Sequence, residues 1–407
     1  MNGLLPMIVL RKSSVRSWIG VLWLAGCGLV TALLVSCGSP VAGEAARPAA
    51  PAAPSVRFEP ASGATGISPT APLSASVTDG RMTAAVMKNE QGKLVAGEIS
   101  PDGARWTLRE PLGYDKRYTL EVTAQGAGPP VTRRATFRTV APKDQTYVSM
   151  NPTDGQTVGV GQPLTFHFSE NAPPPDKARA EEAIRIRTEP AVEGAFYWYD
   201  DREVHWRPKE HWKPGTRVTV NADVYGKDLG NGVYGEADRS ATVDIGDAVV
   251  LRADGAKHQM SIEVNGVVRR TIPVSLGKPS APSSNGTHVV TEKHENYLMD
   301  SSTFGLPVDA EGGYKIDVKW AVRISNGGEF LHAAPWSVGD QGRRNVSHGC
   351  INMSDADARE VFGLLKKGDV VEITNSGGPA LEPTDGFGDW QVPWQEWLGG
   401  NRGAGGA

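Results

Sequence analysis

Short runs of alternating polar and apolar residues, separated by turn-forming residues, occupy the chain from residue 56 to residue 246. Examples are residues 73–77 (Leu-Ser-Ala-Ser-Val) and 118–122 (Tyr-Thr-Leu-Glu-Val). Successive side chains of a β-strand point to opposite faces, so a period of two predicts half-buried strands. The 48 glycines and 29 prolines supply turns between such strands and favour a turn-rich β architecture over a helical bundle.

This pattern occurs twice, which indicates an internal repeat. Residues 60–63 (Pro-Ala-Ser-Gly) correspond to residues 152–155 (Pro-Thr-Asp-Gly), and Trp106 corresponds to Trp206. Units of about 90–100 residues with many short strands are typical of immunoglobulin-like β-sandwiches. The sequence therefore predicts a mainly β protein with two such sandwiches in tandem.

The N-terminus has the features of an export signal. Three basic residues within 11–16 precede an apolar run over residues 18–35. The segment Leu-Val-Ser-Cys that ends at Cys37 resembles the lipobox of bacterial lipoproteins, in which the cysteine becomes the lipidated first residue. Cys27 ends a second such segment, and an uncleaved membrane span is a further alternative. We expect an exported protein, held at the cell membrane by a lipid on Cys37 and facing the periplasm and cell wall.

Charge and composition limit the partners of the protein. The chain has 42 Lys and Arg against 46 Asp and Glu, so it has no basic surplus to neutralise phosphates. A nucleic-acid-binding function is therefore disfavoured. The sequence does not indicate an oligomeric state.

One turn offers oxygen ligands for a cation. Asp228, Asn231 and Gly232 lie in a glycine-rich turn, and hard cations such as calcium accept side-chain and backbone oxygens. The turn contains one carboxylate, so an ordinary Asx turn is the alternative. A structural calcium ion is a hypothesis here, and no cofactor is required.

Cys350 is the cysteine of the globular part, since Cys27 and Cys37 belong to the export segment. An exported protein usually pairs its cysteines, so a single thiol is either reactive or buried and inert. Cys350 follows Gly349 and precedes a predicted helix whose N-cap is Ser354. A thiol in this position can be held as a thiolate by a nearby imidazole and by positive dipole ends.

A histidine suited to act as a base lies 18 residues before this cysteine. His332 is expected to remove the thiol proton, and a backbone carbonyl is expected to orient its ring. The backbone N–H groups of Gly349 and Cys350 are the predicted donors to an oxyanion. Zinc binding by His332, His348 and Cys350 is the alternative.

His332 followed by residues 347–352 (Ser-His-Gly-Cys-Ile-Asn) resembles the signature of bacterial L,D-transpeptidases, whose catalytic domain is also called YkuD. The whole chain, over residues 18–407, resembles the lipoprotein members with two immunoglobulin-like domains. The resemblance implies that the cysteine attacks the diaminopimelate carbonyl of a peptidoglycan stem peptide and expels D-alanine. The thioester then passes to a diaminopimelate amine of another stem, which cross-links the third residues. It also implies acylation by carbapenems.

The same resemblance assigns roles to individual residues. The catalytic positions that it implies are Cys350, His332, His348 and Gly349. The substrate-binding positions that it implies are Tyr314, Gly327, Gly328, Asn352, Met299 and Ser347, with Met299 on a lid-like segment. His288 stands where relatives usually have an aromatic residue.

The predicted organisation has six parts. They are a signal peptide (1–36), a flexible tether (37–55), two immunoglobulin-like domains (56–143 and 144–246), a YkuD-type catalytic domain (247–375) with a short helix after the cysteine, and a tryptophan-rich extension (376–407) that packs on the catalytic domain. A short helix is expected within the second sandwich. The sandwiches are interpreted as spacers, whose deletion should spare turnover in vitro.

Two other functions use the same sequence features. Water in place of the acceptor amine would make the protein an L,D-carboxypeptidase or endopeptidase with the same cysteine and histidine. A wall-binding lipoprotein with an idle Cys350 is the third hypothesis.

Overall fold

The structure is a computed structural model and describes residues 52–404. The predicted signal peptide and the lipidation site at Cys37 lie outside the described residues, as does Cys27. None of the helices in the described part is long and apolar enough to cross a bilayer.

The first sandwich consists of two four-stranded sheets around one apolar core. Its strands are β1 (Ser55–Glu59), β2 (Ser74–Thr78), β3 (Gly80–Asn89), β4 (Leu94–Val95), β5 (Gly97–Ile99), β6 (Arg105–Leu108), β7 (Arg117–Gly126) and β8 (Val131–Arg138). The strand orders are β1-β2-β6-β5 and β4-β3-β7-β8. The alternation of exposed and buried residues along β7 confirms the predicted period of two.

The second sandwich repeats this plan with a helix added. Its elements are β9 (Asp144–Thr146), β10 (Val148–Asn151), β11 (Thr157–Val158), β12 (Leu164–Phe168), α1 (Lys177–Ala183), β13 (Ile184–Glu189), β14 (Gly194–Trp198), β15 (Glu203–Pro208), β16 (Arg217–Ala222), β17 (Val233–Gly235) and β18 (Arg239–Ile245). The two main sheets have the orders β10-β12-β15-β14 and β11-β18-β16-β13. Helix α1 confirms the predicted insertion and is capped by the side chain of Asp176.

The two repeated tryptophans have matching environments. A Cβ atom on Gly97 would lie 2.0 Å from the Trp106 ring, and one on Gly194 would lie 2.0 Å from the Trp206 ring. In each sandwich the indole therefore covers a glycine of the adjacent strand, where no larger residue fits. The internal repeat predicted from the sequence therefore includes a repeated packing contact between a tryptophan and a glycine.

The catalytic region contains two further sheets. Its elements are β19 (Val249–Asp254), β20 (Gln259–Val264), β21 (Val267–Pro273), β22 (Gly286–Val289), β23 (Glu292–Asp300), β24 (Lys315–Arg323), β25 (Phe330–Ala333), β26 (Ile351–Met353), α2 (Asp355–Leu364) and β27 (Val370–Thr374), with short 3₁₀ helices at Ser301–Phe304 and Pro335–Ser337. The strand orders are β21-β20-β19-β27-β22 and β23-β24-β25-β26. Helix α2 packs on β24 and β25 and has the predicted N-cap, Ser354.

The tryptophan-rich extension continues with a 3₁₀ helix (Gly388–Gln391) and α3 (Trp394–Trp397). The prediction that it packs on the catalytic domain is wrong for its tryptophans. Trp390 donates to the carbonyl of Gly161 at 2.8 Å, and Trp397 donates to the carbonyl of Ala195 at 2.8 Å. Both acceptors belong to the second sandwich. Gln391, which follows Trp390 in the sequence, instead donates to the carbonyl of Thr287 on β22 of the catalytic region. The extension therefore bridges the two regions.

The second sandwich supplies the partner that these indoles need. Arg207 is 2 % exposed, and its guanidinium lies 4.7 Å from the Trp390 ring and 4.4 Å from the Trp397 ring. It also donates to the carbonyl of Val392 at 2.8 Å. A buried cation covered by aromatic faces holds the extension in place, because both partners are shielded from water.

Candidate active site

Sheet pairing places the cysteine beside the histidine. Strands β25 and β26 run parallel, with His332 opposite Asn352 in the register. Cys350 lies two residues before Asn352, and side chains two positions apart in an extended chain share a face. Cys350 and His332 are therefore diagonal neighbours on one side of the sheet, although 18 residues separate them in the sequence.

These side chains open into a cavity of about 270 Å³. Seven of the ten predicted catalytic and substrate-binding residues line it: Met299, Tyr314, His332, Ser347, His348, Cys350 and Asn352. Met299 pairs with Ile316 in the β23–β24 hairpin, and both line the cavity. The end of this hairpin therefore contributes to the cavity wall, and the lid-like role of Met299 stays a prediction.

His332 has the tautomer of a base. Its Nδ1 lies 2.9 Å from the carbonyl oxygen of Ala333, which can only accept, so Nδ1 carries the proton and Nε2 keeps its lone pair. The prediction that a backbone carbonyl orients this ring is confirmed. Burial lowers the pKa of His332 to about 4, so the imidazole is neutral near pH 7.

Cys350 is a neutral thiol in this structure. It is 5 % exposed, and burial raises its pKa to about 12, opposed by the backbone of Phe330. Desolvation favours the neutral thiol and opposes the dipoles that would stabilise a thiolate. The thiol lies 3.7 Å from the carbonyl oxygen of Gly328. A neutral thiol beside a neutral imidazole must lose its proton during the reaction.

The loop before the cysteine is held by serine hydroxyls. Ser347 Oγ donates to the carbonyl of Cys350 at 2.6 Å and accepts from the N–H of Gly349 at 3.1 Å. Gly349, at φ +120°, has a backbone that L side chains rarely adopt. Ser283 Oγ donates to the carbonyl of Gly349 at 2.6 Å.

These contacts correct the predicted oxyanion donors. The N–H of Gly349 is engaged by Ser347 and is not available to a substrate. In the described part of the chain, no hydrogen bond uses the backbone N–H of Cys350 or of His348. Within this loop, the N–H groups of residues 348 and 350 are therefore left without a protein partner, whereas that of residue 349 is engaged.

His348 lines the cavity beside the connection between β23 and β24. Lys278 Nζ donates to His348 Nε2 at 2.8 Å, and the Tyr314 ring lies 5.5 Å from the imidazole. Burial and the ammonium of Lys278 both lower the pKa of His348. Burial raises the pKa of Tyr314 to about 12, so its hydroxyl remains a donor over the physiological range.

Gly327 and Gly328 occupy the turn between β24 and β25 and do not line this cavity. Gly328 faces the thiol through its carbonyl, while the N–H of Gly327 donates to Asp385 Oδ1 at 3.0 Å. Their predicted contact with substrate stays a prediction, and the structure brings only Gly328 to the sulfur.

Two polar features of the site were missed from the sequence. Asn352 Nδ2 donates to Ser337 Oγ at 3.1 Å, while Asn352 Oδ1 is buried with no hydrogen-bond partner among the described residues. Behind the cysteine loop, His288 Nε2 lies 3.0 Å from Glu329 Oε2. A serine 15 residues before Asn352 and a glutamate 41 residues after His288, just before β25, give no local pattern that would reveal these contacts.

The calcium hypothesis finds an unfavourable environment at its turn. Asp228 Oδ1 accepts from the N–H of Gly230 at 2.9 Å, which is the Asx turn that the sequence offered as the alternative. Asp228 Oδ2 lies 3.5 Å from Arg179 Nη1, and this guanidinium repels a cation. Asn231 and Gly232 both adopt positive φ, as a tight turn requires. The residues fit a turn better than a calcium site, and calcium binding stays a prediction.

Comparison with known proteins gives two family matches. Residues 64–228 match the family described as bacterial Ig domain, and residues 248–373 match the L,D-transpeptidase catalytic domain, YkuD. The fold class predicted from the sequence is confirmed by these matches.

The chain is also similar to individual proteins along most of its length. It is 47 % identical over 339 residues to L,D-transpeptidase 2 of Mycobacterium tuberculosis, which covers 83 % of each chain. It is 38 % identical over 374 residues to L,D-transpeptidase 5 of the same organism, covering 90 % of this chain and 81 % of the relative. Among solved structures, an L,D-transpeptidase in complex with imipenem is 35 % identical, with a TM-score of 0.50 over 57 % of this chain and all of the other.

Proposed function

This chain belongs to the L,D-transpeptidase family, and on that premise we propose that it cross-links the third residues of two peptidoglycan stem peptides. The family relationship makes the protein a cysteine-dependent acyltransferase. The single observation that carries the finer proposal is that His332, on β25, and Cys350, directly before the parallel strand β26, line the same cavity.

The proposed first half-reaction forms a thioester. His332 Nε2 accepts the proton of the Cys350 thiol as the sulfur attacks the diaminopimelate carbonyl of the donor stem. The N–H groups of His348 and Cys350 stabilise the oxyanion, since they are the donors left free beside the sulfur. The proton held on His332 then passes to the departing D-alanine amine, so the imidazole returns to its neutral form.

The second half-reaction transfers the acyl group. A side-chain amine of diaminopimelate on the acceptor stem attacks the thioester carbonyl, and His332 accepts a proton from this amine. The C–S bond then breaks, and His332 returns the proton to the sulfur, which leaves as the neutral thiol. Asn352 supports substrate positioning, because its buried Oδ1 can accept from a stem-peptide N–H. Gly349 supports the loop conformation that turns its neighbours' N–H groups toward the sulfur.

Inhibition and location follow from the same proposal. A carbapenem presents a strained acyl carbonyl to the thiol, and the solved relative is in complex with imipenem. We propose that Cys350 is acylated by carbapenems. We also propose export and a lipid anchor at Cys37, which would keep the site beside its cell-wall substrate.

The test is a product assay by mass spectrometry. Protein that begins at residue 52 is incubated with a disaccharide–tetrapeptide, with Cys350→Ala beside it as the inactive partner and Ser302→Ala, an exposed serine of the hairpin tip, as the matched control. We expect a dimer formed with loss of D-alanine in the parent and the control, and none in Cys350→Ala. Loss of D-alanine without dimer would replace the proposal by a carboxypeptidase. If neither product forms although imipenem adds its mass at Cys350, the proposed substrate is wrong.

A further inference from the structure

The second sandwich has three side chains with the geometry of metal ligands. His167 on β12 lies directly opposite Glu203 on β15, and His205 is two residues beyond Glu203. All three therefore point to the outer face of the sheet, away from the sandwich core. Glu203 Oε1 lies 3.0 Å from His167 Nε2 and 2.8 Å from His205 Nε2. The three ligand atoms are all within 4.8 Å of one another.

A buried carboxylate from the C-terminal extension supports this group from behind. Asp389 is fully buried, and its Oδ1 lies 2.6 Å from His205 Nδ1. Metal-binding histidines are usually oriented in this way, with the other ring nitrogen donating to a carboxylate. Asp389 Oδ2 has no hydrogen-bond partner among the described residues, and neither does the Tyr199 hydroxyl, whose ring lies 4.7 Å from that of His205.

His205 contacts a carboxylate through each ring nitrogen, Glu203 at Nε2 and Asp389 at Nδ1. An ion bound at Nε2 takes the place of the direct contact with Glu203, while Asp389 keeps the ring oriented.

We propose that His167, Glu203 and His205 bind a divalent transition-metal ion, with zinc as the type. Zinc ligands at about 2.0–2.2 Å in a tetrahedron are about 3.3–3.5 Å apart, a few tenths more than the two observed N···O distances. The side chains of His167 and Glu203 are 46 % and 32 % exposed, so small rotations suffice to open the site. The fourth position faces solvent and suits a water molecule.

The ligand set favours zinc over calcium or magnesium. Two imidazole nitrogens and one carboxylate suit a borderline-soft ion, whereas hard cations take oxygen ligands. The site is separate from the catalytic cavity, with which it shares no lining residue. Because Asp389 belongs to the extension, the ion fastens the extension to the second sandwich.

The experiment measures metal binding without reference to activity. Protein that begins at residue 52 carries Cys350→Ala, so that the catalytic thiol cannot take the metal, and is freed of metal with a chelator. It is titrated with zinc chloride by calorimetry and with cobalt chloride by visible absorption. We expect one ion per chain with micromolar affinity, a four-coordinate cobalt spectrum, and a melting temperature raised by roughly 3 °C or more at saturation.

Substitutions locate the ion. His167→Gln removes one ligand from a half-exposed position and should weaken binding at least tenfold, and Glu203→Gln should do the same with little change of shape. His294→Gln is the matched control, since His294 is an exposed histidine beside a single carboxylate, Glu292. Absence of binding up to 1 mM zinc would overturn the proposal. Equal affinity in the parent and His167→Gln would also overturn it, because the ion would then lie elsewhere.

Discussion

The first sandwich meets the second through side-chain hydroxyls, mainly of tyrosines, whereas the second meets the catalytic domain through backbone and core. Tyr225 OH donates to the carbonyl of Leu112 at 2.6 Å, and Tyr114 OH donates to that of Gly235 at 2.7 Å. The core of the first sandwich contains residues of that sandwich alone. A junction of this kind leaves each core intact when it opens.

The second junction is continuous with both interiors. Gly159 and Gly161 donate their N–H groups to the carbonyls of Lys367 and Gly368, each at 2.8 Å. Val370 of strand β27 is part of the second sandwich's own core cluster. The tryptophan-rich extension then covers the outer face of the same sandwich. Two similar folds in one chain therefore have different structural roles. The first sandwich suits a spacer, whereas the second sandwich forms one structural unit with the catalytic domain.

The largest expected effect comes from dividing the chain at each junction. Protein that begins at residue 142 should keep its rate of imipenem acylation within about twofold, because removing the first sandwich breaks only contacts made by side-chain hydroxyls and tyrosine rings. Protein that begins at residue 247 should lose at least tenfold and unfold at lower temperature, because it exposes Val370 and the extension's indoles. The measurements are adduct formation by mass spectrometry and thermal unfolding. Full activity of the shorter protein would restore the sequence-based interpretation that both sandwiches are spacers.

Adding a methyl group at Gly159, in the second junction, should destabilise the protein nearly as much as removing both sandwiches. The Cβ of Gly159→Ala would lie 2.2 Å from the backbone nitrogen of Asp369, so the two regions must separate. We expect a loss of about 3 kcal/mol in the free energy of unfolding, measured by denaturant titration. Gly128→Ala in the first sandwich is the control, because its Cβ would have no neighbour within 4 Å. Equal stability of the two variants would contradict the close approach described above.

The second junction should also respond to pH. Burial raises the pKa of Asp369 from 3.8 to about 6, although Lys366 Nζ lies 2.9 Å away. Between about pH 4 and 6 the folded protein therefore holds a proton that the unfolded chain has lost. This contribution to stability is fully present below about pH 4 and is lost as the pH rises through 6, with a change of about 3 kcal/mol.

Asp369→Asn should flatten this part of the stability profile, measured by denaturant unfolding at pH 4, 5, 6 and 7. Asp317→Asn, at an exposed position of β24, serves as the control and should keep the slope of the parent. A parent-like slope in Asp369→Asn would assign the pH dependence to another group.

The smallest effect is expected at the first junction. Tyr225→Phe removes the hydroxyl that donates to Leu112 and should cost about 1 kcal/mol of coupling between the sandwiches. Calorimetry should show the first sandwich unfolding more independently, with imipenem acylation unchanged. Tyr147→Phe, at a 40 % exposed position, should change neither. A fall in acylation rate for Tyr225→Phe would mean that the first junction also supports the active site.

Local sequence was sufficient for local structure. The hairpin of β20 and β21 turns at Asn265 and Gly266, both of which have positive φ, as the Asn-Gly pair favours. Ser354 caps α2, and the period of two locates the strands. These features depend on neighbours a few residues away, so the sequence expresses them directly. The order of histidine, then Ser-His-Gly-Cys, likewise identified the chemistry.

Charge state and contacts between distant segments were decided by the tertiary structure. Cys350 is a neutral thiol rather than a thiolate because its burial depends on elements far from it in the chain. Ser347 takes the N–H of Gly349, and Arg207 rather than the catalytic sheet receives the indoles of the extension. Residue types and their spacing along the chain determined which reaction the protein can perform. Desolvation and hydrogen-bond competition, which arise only when remote segments meet, decided which groups are charged and which donors are free.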